Sequence, residues 1–433
     1  MKSLFTRAHP LAMAAGLAIA VGACDEKLDS GVACPALCPN QQLTVRDTTY
    51  FPVLLDSSVA AFPLQGSETE FFIASLGDTL ETVAVVRYDS LPTTFRYSPT
   101  AEDSLIYAVD SANIRILLAR GDTLGPPVTL EVYSVDLGGP DDTDPDLAAT
   151  AFTPERLIGT RTVPSDSLRD TLVVMIDNSV VLSAIQAQQL DTAARGLRIG
   201  IRVNAAGENK DFFRMLTGEN PGAGASLRFR PHVDTEVARM EVIPRSDVPE
   251  NVFERATMQD YLIVVREPPP PPADVLRVGG IPGRRIYVEL DIPAALLDST
   301  NIVRATLELT QRPNPAAPQA TDTATVREFQ IIASPVVTDL HRRLLFTQRF
   351  RQLDTIAVAA ADSGLRAFEI INLVRSWRGT RPERTPRVMA FAFPDDKEGN
   401  SPRLVDFFSS EAPESVRPRL RIFYLPQPEG GLP

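Results

Sequence analysis

The sequence of 433 residues is poor in the side chains that most often carry catalysis. Its three cysteines are Cys24, Cys34 and Cys38, so no disulfide or thiolate metal site can form beyond residue 38. Histidine is also rare, and only His232 and His341 lie beyond the first 23 residues. Catalysis by a serine, histidine and acid needs a positioned imidazole, whereas these two histidines lie in segments typical of a surface or linker. We therefore expect the protein not to be an enzyme.

Aromatic residues and positive charge are scarce as well. The chain contains one tryptophan, Trp377, and 7% aromatic residues overall. Acidic residues number 55 against 43 lysines and arginines, which gives a formal net charge of −12. A surface of this sign repels nucleic acid, and the sequence contains no phosphate-binding glycine loop or basic aromatic patch. We expect no nucleic-acid partner and no cofactor, apart from the calcium ion considered below.

The first 23 residues have the pattern of an export signal. Lys2 and Arg7 precede an apolar run over residues 11–21, which is shorter than the about 20 residues that span a bilayer. The run leads into Val-Gly-Ala-Cys at positions 21–24, which resembles the lipobox of bacterial lipoproteins. This resemblance implies that Cys24 becomes the acylated first residue of the mature chain. We expect an extracytoplasmic protein anchored to a membrane, at the periplasmic face or the cell surface; an ordinary secretory signal is the alternative.

Residues 24–44 are polar and interrupted by glycine and proline, which is typical of a tether. Within the tether, Cys34 and Cys38 are close enough in sequence to form a small disulfide in an oxidising compartment. A zinc site at these cysteines has too few partners, because the histidines of the mature chain are remote. We favour the disulfide.

From residue 45 onward the chain is a series of short apolar or alternating runs divided by Pro, Gly, Asp, Asn and Ser. Runs such as 82–88 and 128–133 are rich in β-branched residues, and the frequent turn signals are typical of antiparallel sheets. A run of five prolines at 268–272 favours a stiff connection between neighbouring strands. The pattern predicts an all-β fold.

The same landmarks occur in the same order in both halves. In each half a short strand and a glycine-containing turn precede a longer strand, which ends in the motif at 89–92 or at 291–293. Later in each half come a polar turn, a phenylalanine pair at 212–213 or 407–408, and a final strand. Since successive residues of a strand face opposite sides, at most one ring of each pair can face one core. This agreement indicates a tandem duplication with its boundary near His232.

Three segments of the second half stand out: a strand leading into Leu-Val-Arg-Ser-Trp-Arg-Gly within residues 368–380, residues 407–412, and residues 417–424. They resemble, in this order, the "L-V-x-x-W-x-x-G", "F-x-S-x-E-A" and closing "R-P-x-L-x-V-x-Y" elements of the DNRLRE domain family, which is similar to a carbohydrate-binding module family. The resemblance covers about residues 255–426 and, more faintly, 45–232. It implies a jelly-roll-like β-sandwich in each half.

We therefore predict two tandem jelly-roll-like antiparallel β-sandwich domains, after a signal peptide (1–23) and a tether (24–44). The domains are placed at residues 45–232 and 233–426, with a tail at 427–433. The first half has no equivalent of Trp377 and carries residues 180–185 in its place. Because apolar residues before Trp377 recur at helical spacing, we expect its indole to be buried in a helical turn rather than exposed to a sugar.

The strongest acidic cluster consists of Asp141, Asp142, Asp144 and Asp146. Alternating carboxylates in a loop suit Ca²⁺, which takes six to eight oxygen ligands. The loop lacks the central glycine and closing glutamate of an EF-hand, so we favour a solvated acidic loop, with a calcium site as the alternative. Residues 395–400 form a second, weaker candidate.

The sequence predicts non-catalytic modules for glycan binding or adhesion, with a polysaccharide or an envelope protein as partner besides the membrane. A structural spacer or subunit of an envelope assembly is the alternative, because exposed aromatic rings usually form sugar platforms and this chain has few aromatics. A glycan-acting hydrolase would need two carboxylates that face each other in a cleft.

Overall fold

The computed structural model describes residues 44–62, 68–119, 127–137, 145–164, 171–204, 211–220, 224–233, 237–244, 259–314, 329–338, 344–347, 353–382, 385, 387–394 and 398–426. Within these residues the chain forms the strands β1 Arg46–Tyr50, β2 Val53–Phe62, β3 Glu70–Ser75, β4 Glu81–Tyr88, β5 Thr94–Phe95, β6 Ser104–Leu105, β7 Val109–Leu117, β8 Val128–Ser134, β9 Leu157–Val163, β10 Thr171–Ile176, β11 Leu197–Asn204, β12 Asp211–Leu216, β13 Ser226–Pro231, β14 Met240–Val242, β15 Asp260–Arg266, β16 Val275–Gly279, β17 Gly283–Leu290, β18 Thr300–Arg312, β19 Phe329–Thr338, β20 Leu344–Thr347, β21 Asp354–Val358, β22 Gly364–Glu369, β23 Val388–Ala392, β24 Leu404–Phe408 and β25 Arg419–Pro426. The α-helices are α1 Pro145–Ala151, α2 Asn178–Leu190, α3 Ala294–Asp298 and α4 Ile371–Ser376. The prediction of an all-β fold with antiparallel sheets is confirmed.

Strands β3 to β15 form the first sandwich. One sheet has the order β12-β3-β4-β11-β8-β9, and β15 also pairs with β4; the other sheet has the order β10-β7-β13-β14. β5 and β6 form a separate hairpin. The residues of β4 are buried on both faces, because one face meets the core between the sheets and the other is covered by α1 and Phe152.

The second sandwich repeats this plan. β17 pairs with β16, β23 and β2, and β19 continues the sheet beyond β23. The facing strands have the order β22-β18-β25-β1. β24 pairs with β16 and also with the end of β18, so the two layers join into a continuous 12-stranded sheet.

The first two strands of each repeat complete the sandwich of the other repeat. β1 and β2 precede the first sandwich in the chain, yet they pair with β25 and β17 of the second. β14 and β15 precede the second sandwich, yet they pair with β13 and β4 of the first. The predicted domain ranges, 45–232 and 233–426, therefore follow the repeats along the sequence. The strands of the first sandwich lie within residues 68–266. Those of the second sandwich lie within residues 44–62 and 275–426. Two similar sheets offer the same edge, so sequence order does not determine which one a strand joins.

The exchanged strands lie in the same register in both sandwiches. Asp56 of β2 lies opposite Val288, and Asp260 of β15 lies opposite Val86. Each of these valines lies three residues before the aspartate that follows its strand. Asp56 and Asp260 therefore occupy equivalent positions, and we call the arrangement the reciprocal strand exchange. The proline run at 268–272 is part of the connection that leads from β15 in the first sandwich to β16 in the second.

The indole of Trp377 lies directly after α4 and is only 2% exposed, within the core of the second sandwich. Its predicted burial is confirmed. In the first sandwich, α2 occupies the corresponding place, since both helices follow a strand that pairs at the same sheet edge. α2 buries Val181 and Ile185 where the second sandwich buries tryptophan.

The two phenylalanine pairs alternate as predicted. Phe213 and Phe407 are buried, whereas their neighbours Phe212 and Phe408 are partly exposed. Phe212 stacks on Phe72 of the adjacent strand, with 4.8 Å between ring centroids. Each pair thus contributes one ring to the core of its own sandwich.

Candidate functional site

An open cavity of about 320 Å³ lies in the first sandwich, where the beginning of α2 meets the end of β8 and the start of β11. A volume of roughly 300 Å³ is at the lower end of the range for small-ligand sites. The cavity is lined by Ser134, Val135, Asp136, Ser179, Val180, Ser183, Ala184, Gly196, Leu197 and Arg198.

The start of α2 places two hydroxyl groups on the rim of the cavity. Asp177 caps the helix, because its Oδ1 accepts a hydrogen bond from the backbone N–H of Ser179 at 2.8 Å. Val181 and Ile185 turn toward the core and fix the orientation of the helix. Ser179 and Ser183, four residues apart on one helix face, therefore stay exposed toward the cavity.

The floor of the cavity depends on a close backbone approach at Gly196. A β-carbon at this position would lie 1.9 Å from the carbonyl oxygen of Tyr88, so only glycine lets β11 begin here. The next two residues, Leu197 and Arg198, are buried and form the base of the cavity.

Charged groups meet beneath the floor and at the rim. Arg198 Nη2 lies 3.4 Å from Asp89 Oδ1, while Arg87 Nη2 lies 2.8 Å from Asp89 Oδ2. The Nε of Arg198 is buried and has no hydrogen-bond partner among the described residues. At the rim, Asp136 pairs with Arg156 at 2.7 Å. The Arg198 guanidinium is thus buried beneath the floor, whereas the Asp136 carboxylate lies at the rim.

The lining of the cavity presents hydrogen-bond acceptors. The Ser179 and Ser183 hydroxyls donate to Asp177 Oδ1 and to the Ser179 carbonyl, and their oxygens, with Ser134 and the Asp136 carboxylate, can accept hydrogen bonds from a polyhydroxylated ligand. Asp136 is the single carboxylate among the described lining residues. Glycoside hydrolysis usually requires two carboxyl groups about 5 to 10 Å apart, and the lining alone does not provide that pair.

A hairpin with exposed aromatic rings lies at the other end of α2. Tyr97 and Tyr107, which flank β5 and β6, are 54% and 73% exposed. Gln189 near the end of α2 donates hydrogen bonds to the carbonyls of Thr93 and Ile106, at 2.9 and 3.0 Å. The same helix therefore lines the cavity at its beginning and binds the hairpin with the exposed rings near its end. We call these two elements together the α2 surface.

Sequence reasoning missed the α2 surface. Its serines and Arg198 lie on three elements that are distant in the chain, and no local motif joins them. The available signal was the pair of tyrosines, Tyr97 and Tyr107, on either side of the polar turn at 98–104.

Most of the predicted site residues lie outside the described residues. These are Cys24, the two cysteines Cys34 and Cys38, and the acidic residues Asp141, Asp142 and Asp144. Asp146 is described and lies exposed in the first turn of α1.

The histidines and the second acidic segment have ordinary surroundings where they are described. His232 is exposed beside Asp110, whereas His341 lies outside the described residues. In the segment 395–400, Glu398 is buried and its carboxylate binds the Arg285 guanidinium through two hydrogen bonds of 2.8 and 2.6 Å. Glu398 therefore serves β17 as an ion-pair partner.

The described part of the chain contains no group of three or more His, Cys, Asp or Glu side chains that could hold a metal ion. No helix in it is long and apolar enough to cross a membrane.

No family model matches the chain, and no curated protein matches it significantly. Among solved structures, the chain is similar to a structure of the Gx strain of infectious bursal disease virus, with 8% identity and a TM-score of 0.13 over 88% of this chain and 77% of the other. It is also similar to the VP2 subviral particle of infectious bursal disease virus, with 8% identity and a TM-score of 0.12 over 89% of this chain and 77% of the other. Similarities at this level carry no argument about function.

Proposed function

We propose that the protein is an extracytoplasmic lipoprotein whose β-sandwich modules bind a glycan without cleaving it. The observation that carries this proposal is the α2 surface, where a cavity rich in hydroxyl groups and two exposed tyrosines share one helix. Sugars combine hydroxyl groups with apolar ring faces, so binding sites for them combine hydrogen-bonding side chains with aromatic rings. The resemblance of the sequence to the DNRLRE family supports the same ligand class.

The experiment is a glycan array probed with residues 44–426, followed by titration of the best binder. We expect binding to be lost in Ser183→Arg, because the longer side chain fills the cavity. Gln186→Arg adds the same charge at an exposed position of α2 outside the lining, so it should bind like the parent chain. Equal binding by both variants would remove the cavity from the proposal.

The hairpin is tested by Tyr107→Ala. This ring is 73% exposed, so its removal should leave the melting temperature unchanged while binding falls by about tenfold, as expected for about 1 to 1.5 kcal/mol of lost ring contact. Unchanged binding would limit the site to the cavity.

The proposed membrane anchor rests on Cys24. Labelled palmitate should be incorporated into the parent chain in its own host and not into Cys24→Ser. Equal labelling of the two chains would contradict lipidation at this residue.

The reciprocal strand exchange favours a second candidate function, as a structural subunit of an envelope assembly. Because β1 follows the tether and pairs with β25, a force on the N-terminus acts first on the second sandwich. A chain that binds no glycan on the array, and whose deletion weakens the resistance of the envelope to detergent, would support this alternative.

A further inference from the structure

Each sandwich contains a pair of carboxylates, one on the exchanged strand and one on the turn that the exchanged strand contacts. In the second sandwich the pair is Asp56 of β2 and Glu411, which follows β24. In the first sandwich it is Asp260 of β15 and Glu219, which follows β12. In both sandwiches the residue before the glutamate donates its backbone N–H to the aspartate, which places the two acidic residues next to each other.

Ser410 satisfies the aspartate in the second sandwich. It donates its backbone N–H to Asp56 Oδ2 at 2.7 Å and its hydroxyl to Asp56 Oδ1 at 2.9 Å. The Ser409 hydroxyl lies 2.5 Å from Glu411 Oε2 and 2.9 Å from the carbonyl oxygen of Ala273, and its one hydrogen can be donated to either. Both oxygens of the aspartate therefore have donors.

The pair in the first sandwich lacks these donors. Gly218 stands where the second sandwich has Ser410, and it donates only its backbone N–H, to Asp260 Oδ2 at 2.8 Å. The hydroxyl of the preceding Thr217 is committed to the carbonyl of Glu68 at 2.6 Å. Asp260 is 0% exposed, and its Oδ1 has no hydrogen-bond partner among the described residues. Both carboxylate oxygens of Glu219 are likewise buried without a described partner.

Two buried carboxylates cannot both stay charged without a compensating positive charge. No described lysine or arginine forms an ion pair with either carboxylate, and three of their four oxygens are buried without a described hydrogen-bond partner. A cation between the two carboxylates would supply the missing positive charge.

A backbone carbonyl faces the same space. A β-carbon built at Gly218 would lie 3.3 Å from the carbonyl oxygen of Pro244, and 3.4 and 3.7 Å from the two Asp260 carboxylate oxygens. Carboxylate and carbonyl oxygens in an irregular arrangement suit Ca²⁺, which completes its shell with water, better than Mg²⁺, which needs near-ideal octahedral geometry.

We propose that the carboxylates of Asp260 and Glu219, with the carbonyl oxygen of Pro244, form a Ca²⁺ site in the first sandwich. The ion ties β15 to the turn after β12, as the hydroxyl of Ser410 ties β2 to the turn after β24. The site is distinct from the acidic loop that includes Asp146.

The first experiment measures thermal unfolding of the chain at pH 8 in EDTA and in increasing CaCl₂ up to 10 mM. We expect Ca²⁺ to raise the melting temperature of the parent chain, and Mg²⁺ at the same concentration to have a smaller effect. Asp260→Asn and Glu219→Gln should each lose the Ca²⁺-dependent increase. A parent chain whose melting temperature does not respond to Ca²⁺ overturns the proposal.

The matched control is Asp56→Asn, which removes the equivalent carboxylate from the second sandwich and should keep the full Ca²⁺ response. A double variant, Asp142→Asn with Asp144→Asn, separates the acidic loop from the proposed site and should also respond fully. If this double variant loses the response while Asp260→Asn retains it, the ion binds the loop and the proposal is wrong.

A second measurement does not depend on thermal stability. Tb³⁺ replaces Ca²⁺ and emits when a nearby tyrosine is excited. Tyr88 lies close to the site, since its hydroxyl donates to the carbonyl of Ala225, and the neighbouring Gly224 approaches Gly218, where a β-carbon built at Gly224 would lie 3.3 Å from the Gly218 nitrogen. We expect Tb³⁺ emission that excess Ca²⁺ displaces in the parent chain and in Asp56→Asn, and that is absent in Glu219→Gln. Undiminished emission from Glu219→Gln would contradict the assignment.

Discussion

Ser410 binds both carboxylate oxygens of Asp56 although the two residues are 354 positions apart in the sequence. Its backbone N–H donates to Oδ2 at 2.7 Å and its hydroxyl to Oδ1 at 2.9 Å. The contact fixes β2, from the beginning of the chain, in the sandwich formed by the end of the chain.

Ser410→Ala should therefore weaken the second sandwich. Loss of the hydroxyl leaves a partly buried carboxylate oxygen without its donor, which typically costs about 1 to 3 kcal/mol of unfolding free energy. Urea unfolding measures the change. Ser98→Ala removes an exposed hydroxyl elsewhere and should leave the midpoint unchanged. Equal midpoints for the two variants would show that this contact does not hold β2.

The strands and the duplication were predictable because they leave local signals. Alternation of apolar residues and turn residues such as Gly77 determine where strands begin and end. The phenylalanine pairs are not at equivalent places, since Phe213 lies five residues before Gly218 and Phe408 lies two before Ser410. The burial of Trp377 followed from helical spacing in the same way. These predictions depend on neighbours in the sequence.

The strand exchange and the carboxylate pair at Asp260 left no such signal in the sequence. β2 and β15 have equivalent partners in either sandwich, so their choice depends on the path of the connections rather than on their side chains. Asp260 lies at the start of a strand, where an aspartate in the sequence is typical of an exposed turn residue. Its burial follows from the turn that contains Gly218, which is 42 residues away.

The stability of the first sandwich should fall as pH rises from 4 to 7 in EDTA. Burial, followed by the charge of Glu219, raises the pKa of Asp260 from 3.8 to about 7 in the folded chain. A carboxyl with a raised folded pKa contributes stability that is complete below its unfolded pKa and is lost as pH passes through the folded value. The loss approaches about 1.4 kcal/mol per pH unit. Urea unfolding across this window measures it, and Asp260→Asn should remove this contribution. An identical slope in the two chains would contradict the raised pKa.

Gly218→Ser should make the first sandwich resemble the second. The new hydroxyl is placed to donate to Asp260 Oδ1, which favours the charged carboxylate and lowers its pKa. The β-carbon meets the carbonyl oxygen of Pro244 at 3.3 Å, so Gly218→Ala is the control for the strain of adding it. The serine variant should be more stable than the alanine variant at pH 8 in EDTA. Equal stability of the two would show that the hydroxyl does not reach the carboxylate.

Glu398→Gln should strongly destabilise the second sandwich. Glu398 is buried and binds the Arg285 guanidinium through two hydrogen bonds, at 2.8 and 2.6 Å. Removal of one charge from a buried pair leaves the other uncompensated, which costs about 3 to 5 kcal/mol. Asp103→Asn breaks the exposed pair with Arg96 and should change the unfolding midpoint little. Similar midpoints for the two variants would mean that the Arg285 charge is compensated elsewhere.

The reciprocal strand exchange is tested most directly by a designed disulfide. Thr49 of β1 lies opposite Arg421 of β25, whereas without exchange it would lie opposite Arg228 of β13, the equivalent strand of the first sandwich. In a chain with serine at positions 24, 34 and 38, cysteines at 49 and 421 should form an intramolecular disulfide in the monomer, and cysteines at 49 and 228 should remain free thiols. Thiol titration and mass spectrometry under non-reducing conditions measure both. A disulfide between 49 and 228, with none between 49 and 421, would contradict the exchange.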